Sequence, residues 1–204
     1  MLKVLYELFC GTKSIGKVFE QHDWTVVSVD VEAKFNPTIC CDIRDLAPEM
    51  LLEASGAPPD AMWLSPPCTH YSIARSKAKA PRDLALSDSL VQAGLDLAAF
   101  FGCPFWMENP YTGLLKTRAV VAGIPMRVLD YCRYAEDSPE FEARYRKRTA
   151  IWTNTSWYPA RALCLAKNHP KCQGFDREGK YRVPSQIARE IVQWLEGDGG
   201  DGFE

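Results

Sequence analysis

The apolar run Ala61-Met62-Trp63-Leu64 ends on Ser65-Pro66-Pro67-Cys68, and this junction limits how the chain can fold more than any other stretch. The run is too short for a helix and rich in strand formers. Two successive prolines cannot donate ladder hydrogen bonds, so strand pairing has to stop there. Cys68 is therefore expected in a stiff loop beyond a strand end. In an open α/β sheet, ligands bind past the carboxyl ends of the strands, which is where such a loop places its side chains. Free cysteine is also among the most buried residue types, so the rest of the chain has to decide between a reactive and a packing role.

The same punctuation recurs. Lys3 to Phe9 is a strand candidate followed by Cys10-Gly11-Thr12-Lys13-Ser14-Ile15-Gly16 and an amphipathic stretch through Val18, Phe19 and His22. This strand, glycine loop and helix offer close backbone approach and unpaired N–H groups to a polar ligand, although the full dinucleotide fingerprint is absent. Thr25 to Val31 predicts a second strand with Asp30 at its exit and Glu32 just beyond, a placement that suits a ribose hydroxyl pair. Thr38 to Cys41 predicts a third, with Asp42 at its exit, then a helix from Leu46 to Ala54 with Pro48 in its first turn.

Beyond Cys68, the segment from Ser72 to Leu84 carries Arg75, Lys77, Lys79 and Arg82 among small residues, a basic loop able to lie on a phosphate backbone or be simply solvated. Asp88 to Phe101 has Leu90, Val91, Leu95, Ala98 and Phe101 at helical spacing, a core helix. The strand Pro104 to Met107 then presents Glu108-Asn109-Pro110 at the edge that holds Cys68. Met126 to Tyr131 and Thr149 to Thr153 predict two more strands. Before the second lies Arg144-Tyr145-Arg146-Lys147-Arg148, in which Arg144, Arg146 and Arg148 share a face if the segment is extended. The chain closes with Tyr181-Arg182-Val183-Pro184-Ser185-Gln186 and a helix from Ile187 to Leu195, with Ser185 in its N-cap region.

At 204 residues and a net charge of -2, the chain is expected to form one domain over residues 1–196, with a disordered acidic tail at 197–204. Acidic Glu7 beside a short apolar run, with no charged leader, points to a reducing, cytoplasmic compartment and free thiols for the eight cysteines. No apolar run reads as a membrane span, no membrane partner is expected, and no internal repeat occurs.

Together these residues resemble the cytosine-C5 DNA methyltransferases, which use S-adenosylmethionine. Ser65-Pro66-Pro67-Cys68 resembles their nucleophile motif, and Glu108-Asn109-Pro110 is similar to their Glu-Asn-Val motif. Arg146-Lys147-Arg148 matches the second half of their Gln-x-Arg-x-Arg motif, and Leu8-Phe9-Cys10-Gly11 the start of their cofactor loop. Order and spacing agree from Lys3 to about Leu195. The resemblance implies a Rossmann-like fold, a mixed, mostly parallel sheet with helices on both faces. It implies catalysis by Cys68, Glu108, Arg146 and Arg148, with cationic neighbours favouring the Cys68 thiolate. It implies donor contacts from Phe9, Cys10, Gly11 and Thr12, from Asp30 and Val31, from Asp42 and Ile43, from Ser65 and Pro66, and from Ser185. DNA is the implied partner.

The chain departs from that family where paired glycines would follow Gly11, where Arg144 replaces the glutamine, and where Pro184-Ser185 replaces Asn-Ser. With Lys13 and Arg182 near, an alternative donor is a carboxylated S-adenosylmethionine. An RNA cytosine methyltransferase and a non-catalytic nucleic-acid-binding subunit are the rival functions. Between Thr153 and Arg182 there is too little chain for the target-recognition domain usual in the family, so a protein partner is the expected source of any sequence specificity. Cys164, His169 and Cys172 lie in that stretch. Structural zinc takes four ligands and only three are local, so Cys132 or another distant cysteine would have to complete the set, and no metal is assigned.

Overall fold

A computed structural model describes residues 2–135, 145–169 and 182–197. Arg144, Cys172, Tyr181 and the tail from residue 198 lie outside the described residues. Seven strands form one sheet: β1 (Val4–Leu8), β2 (Thr25–Asp30), β3 (Ile39–Cys40), β4 (Ala61–Leu64), β5 (Phe105–Pro110), β6 (Met126–Asp130) and β7 (Arg148–Thr153). Their order is β3-β2-β1-β4-β5-β7-β6. The first five are parallel, and β7 runs antiparallel to both β5 and β6.

Alternation along β1 shows how the sheet is covered. Val4, Tyr6 and Leu8 join the core beneath α2 (Pro48–Ser55) and α3 (Leu84–Phe101). Leu5 joins the opposite core, beneath α1 (Gly16–Glu20) and α4 (Ser185–Glu196). Both faces are thus buried, as expected for strands joined by helical crossovers. β1 hands on to β2 on one side, and the chain then crosses back to set β4 on β1's other side. That reversal opens a crevice at the carboxyl ends of β1 and β4.

Four expectations need correction. Glu108 lies within a strand, not beyond its end, because the antiparallel partner β7 extends pairing as far as Pro110↔Thr149. Helix α2 begins at Pro48, since a proline at the first helical position is pre-set for entry and excludes the turn before it. The cap of α4 is Pro184, and Ser185 is its buried first residue. Helix α3 does reach the length and apolarity of a membrane span, with mean hydropathy 1.3; here Val91, Leu97 and Ala98 pack it on the sheet. The seven described cysteines are free.

Candidate active site

Strand register builds the site. Leu8 pairs with both Val29 and Leu64, and Leu64 pairs with Met107. The next residues, Phe9, Asp30, Ser65 and Glu108, therefore stand in one row across four strands. The loop after β1 turns sharply there: Phe9, Gly11 and Lys13 all have left-handed backbones, with φ of 57°, 46° and 55°. Bulky residues rarely take that conformation, and strain of this kind collects at functional sites. Asp30 fixes the turn by accepting from Gly11 N through Oδ2 and from Glu32 N through Oδ1, both at 2.9 Å.

Under the loop lies Glu7, a β1 residue 2% exposed. Its Oε1 accepts from Ile15 N at 3.3 Å. A Cβ at Gly16 would come within 2.5 Å of Oε2, so any larger residue there would have to displace this carboxyl where α1 crosses it. Burial pushes Glu7 up from 4.5 to about 8, against the N–H groups of Gly16 and Ile15 and the charge of Lys13.

The nucleophile candidate sits opposite. Ser65 N donates to Leu8 O at 3.1 Å, continuing β4 by one bond before the prolines end it. Buried Asn109 then reaches across from β5, its Nδ2 donating to Pro66 O at 2.9 Å. Cys68 O accepts from Ser72 N at 2.9 Å, so the cysteine is held on both sides. Glu108 is 7% exposed. Three donors meet its Oε1: Tyr131 Oη at 3.0 Å, Lys147 Nζ at 3.3 Å and Thr149 Oγ1 at 3.4 Å. Oε2 is the oxygen left for a ligand. Burial, then the Glu108 charge, raise the Cys68 thiol above its ordinary value, and Lys147 only partly opposes them. A cationic neighbour, Lys147, favours the thiolate as expected, but burial and Glu108 outweigh it.

A cavity of about 620 Å³ joins these parts. Its walls include Phe9, Cys10, Gly11, Thr12, Asp30, Val31, Asp42, Ile43, Ser65, Pro66, Cys68, Glu108 and Lys147. Nucleophile, carboxylate and strand-exit acids thus share one chamber.

No protein-family model matches the sequence. Over 193 residues the chain is 26% identical to a probable DNA (cytosine-5)-methyltransferase of Frog virus 3, covering 87% of this chain and 83% of that protein. Its fold is similar to a solved Entamoeba histolytica methyltransferase, EhMeth, with a TM-score of 0.51 and 14% identity. That match covers 82% of this chain and 57% of the Entamoeba chain, so the present chain spans little more than half of that neighbour. The chain is thus similar in sequence to a probable cytosine-C5 methyltransferase and in fold to a solved methyltransferase.

The methyl donor of C5 methyltransferases is S-adenosylmethionine, and the cavity suits it. The volume is in the range of small-molecule sites. Phe9, Val31, Phe35, Ile43 and Leu90 give apolar wall, and Asp30 and Asp42 stand at the strand exits with acceptors for the polar groups of a nucleoside. Asp30 retains acceptor capacity on both oxygens. Asp42 is less available: Arg44 N, Nε and Nη2 all donate to its carboxylate, the last two at 2.9 and 2.6 Å, and hold it at about 2. Ser185 does not line the cavity; the adjoining segment is tied to the loop by Val183 N donating to Ser14 Oγ at 3.1 Å. Lys13 and Arg182 are absent from the walls as well, and Lys13 Nζ donates to Asn36 O. The two cations that suggested a carboxylated donor therefore stand outside the chamber, whose own lysines are Lys34, paired with Glu32, and Lys147, beside Glu108.

The arginine motif is the main departure. Arg146 and Arg148 turn away from the cavity to buried Asp130, with Arg148 Nε and Nη2 donating to its two oxygens at 2.9 and 2.8 Å and Arg146 Nε at 3.4 Å from Oδ1. Thr149 and Lys147 face Glu108 instead. A shift of one residue along an extended segment changes the face of every side chain, so the cation delivered to the site is the lysine between the arginines. Sequence reasoning also missed Glu7, Tyr131 and Asn109. Asn109 stood in the quoted motif, and its polar side chain in an apolar strand was the available signal.

Proposed function

We propose that the chain transfers a methyl group from S-adenosylmethionine to C5 of cytosine in DNA. The observation that supports this best is the shared chamber, in which Cys68 and Glu108 meet the row of residues at the β1, β2 and β4 exits. Bound S-adenosylmethionine supplies an electrophilic methyl group. Cys68, once deprotonated, adds to C6 of a flipped-out cytosine, and the displaced electron pair makes C5 nucleophilic. Glu108 holds the N3 edge through Oε2 and carries the proton that offsets charge entering the ring. Lys147, 3.3 Å from Oε1, adds a positive charge beside that carboxylate. Once C5 is substituted, loss of its proton and departure of the Cys68 sulfur restore the aromatic ring.

Nucleic-acid affinity would come from phosphate contacts, with little base readout. In the basic loop, Arg75 Nη2 donates to Ala80 O and Pro81 O, and Arg82 Nη1 to His70 O, so two of its cations also brace the loop. The stretch between β7 and α4 is shorter than the forty or so residues an independent core needs. Phosphate contacts give affinity without sequence information. We therefore propose a short or loose target context, strongly salt-dependent binding, and a protein partner wherever sharper specificity is required.

Nucleosides from DNA and from RNA exposed to protein and donor are to be measured by mass spectrometry. 5-Methylcytosine in DNA is expected. Product confined to RNA would move the substrate, and donor binding with no product in either would make the chain a binding subunit. Asp30→Ala should weaken donor binding by about 1–3 kcal/mol in calorimetry.

A further inference from the structure

Three side chains that the proposed chemistry leaves unused meet at one point. Cys132 lies in the 3₁₀ turn Tyr131–Arg133 after β6, and Cys164 and His169 lie in the coil after β7. Their ligand atoms all fall within 4.8 Å of one another, and Cys164 Sγ is 3.3 Å from His169 Nε2. Tetrahedral zinc, with bonds of about 2.3 Å to sulfur and 2.0 Å to nitrogen, sets ligand atoms roughly 3.3–3.8 Å apart. Side-chain adjustments on the order of 1 Å reach that geometry, with one position left for water or another donor.

The backbone around the cluster is held by bonds that do not involve the thiols. Cys164 N donates to Asp130 Oδ2 at 3.0 Å, and Arg161 Nη1 donates to Arg133 O at 2.5 Å. The Arg161 guanidinium also lies 5.0 Å from the Tyr134 ring centroid. The donors are therefore gathered by the fold before any ion binds. Two thiolates and an imidazole form a soft set that selects zinc over magnesium or calcium, and two thiolate charges neutralise a divalent ion. Of the local candidates Cys164 and His169 lie among the described residues, and folding brings Cys132 to them from elsewhere as a third protein ligand.

We propose that Cys132, Cys164 and His169 bind one zinc ion, which staples the coil after β7 to the exit of β6. The staple acts on the catalytic half through Asp130, the residue that accepts from Cys164 N, Arg146 and Arg148 together. A segment too short for its own core gains from the metal the fixed shape that packing cannot supply.

The whole chain, purified without chelator or added metal, is expected to carry close to one zinc per molecule by inductively coupled plasma mass spectrometry. Cobalt(II) exchanged into the site should show thiolate-to-cobalt charge transfer and the visible bands of a tetrahedral centre. Cys132→Ser and Cys164→Ser should each lose stoichiometric zinc, while Cys40→Ser, at an exposed cysteine of β3, keeps it, with circular dichroism checking the fold of all three. Zinc-free wild type that also lacks the cobalt bands overturns the proposal. So does a Cys132–Cys164 disulfide in fresh protein alkylated without reductant, or a Cys132→Ser variant that retains zinc as the wild type does.

Discussion

The sheet has two halves that position chemistry differently. In the parallel half, β1 to β4, the cavity-lining residues Phe9, Asp30, Asp42, Ser65 and Cys68 stand at the last residue of a strand or past it, where a loop aims each side chain. In the antiparallel half, β5, β7 and β6, the working residues lie in or beside paired segments, and pleat parity alone decides which of them meets the cavity. A residue past a strand end tolerates an error of one position in reading; a residue within a ladder does not.

Substitutions can break that comparison, beginning with the largest effect. Cys68→Ser should lower turnover by roughly four orders of magnitude or more with donor affinity nearly unchanged, as befits loss of a nucleophile. Wild type alone should be captured covalently on DNA containing fluorocytosine. A serine variant that turns over at a comparable rate would refute the parallel-half assignment.

Lys147→Ala should lower kcat about a hundredfold at near-native stability. Arg148→Ala should instead cost about 1–3 kcal/mol of stability, because it strips a partner from Asp130, which is 1% exposed. Measuring kcat and denaturant midpoints for both separates the cases. If the arginine variant loses turnover at full stability while the lysine variant is silent, the parity argument fails.

Glu7→Gln sharpens the parallel side. The folded state favours the protonated acid, so this contribution to stability is complete below 4.5 and is lost as pH rises through about 8. The amide removes that loss and can still accept from Ile15 N. We expect a gain of about 4 kcal/mol at pH 8 and almost none at pH 4, read from denaturant unfolding at both values. Equal shifts at the two pH values would mean that Glu7 is not held neutral.

The smallest effect is a pH profile. Burial and Glu108 raise the Cys68 thiol above its ordinary 9.0, so turnover should still be climbing as pH passes that value. Lys147 opposes them, and Lys147→Ala should move the rising limb further up. A plateau reached near neutrality would contradict the buried-thiol geometry.

Much of the parallel half was legible in sequence because its signals are local. Two prolines end β4, and acids close β2 and follow β3, whatever the rest of the fold does. The antiparallel half was less so. Every β7 residue after Arg148 is buried, since helices cover both faces, and such a strand shows no alternation from which to count. Lys147 could not be told from Arg146 and Arg148 without the register that pairs Glu108 with Ile151. Glu7 gave no sign because nothing local announces that α1 will cross directly above it. Cys132 is far from Cys164 and His169 in the chain, and only the fold shows that it reaches them.

The bond from Asn109 to Pro66 joins the two halves at the active chamber. It ties the loop that bears the nucleophile to the strand that bears the carboxylate, in a place where water cannot compete for the hydrogen bond. The pair is thereby fixed before any base arrives, and the work of alignment falls on the nucleic acid, which must unstack a cytosine to meet a rigid site. Unstacking is cheapest where pairing is already weak. If the proposed transfer holds, cytosines in mismatches, at duplex ends or in single strands are its expected targets, and their advantage should be greatest with the purified chain alone.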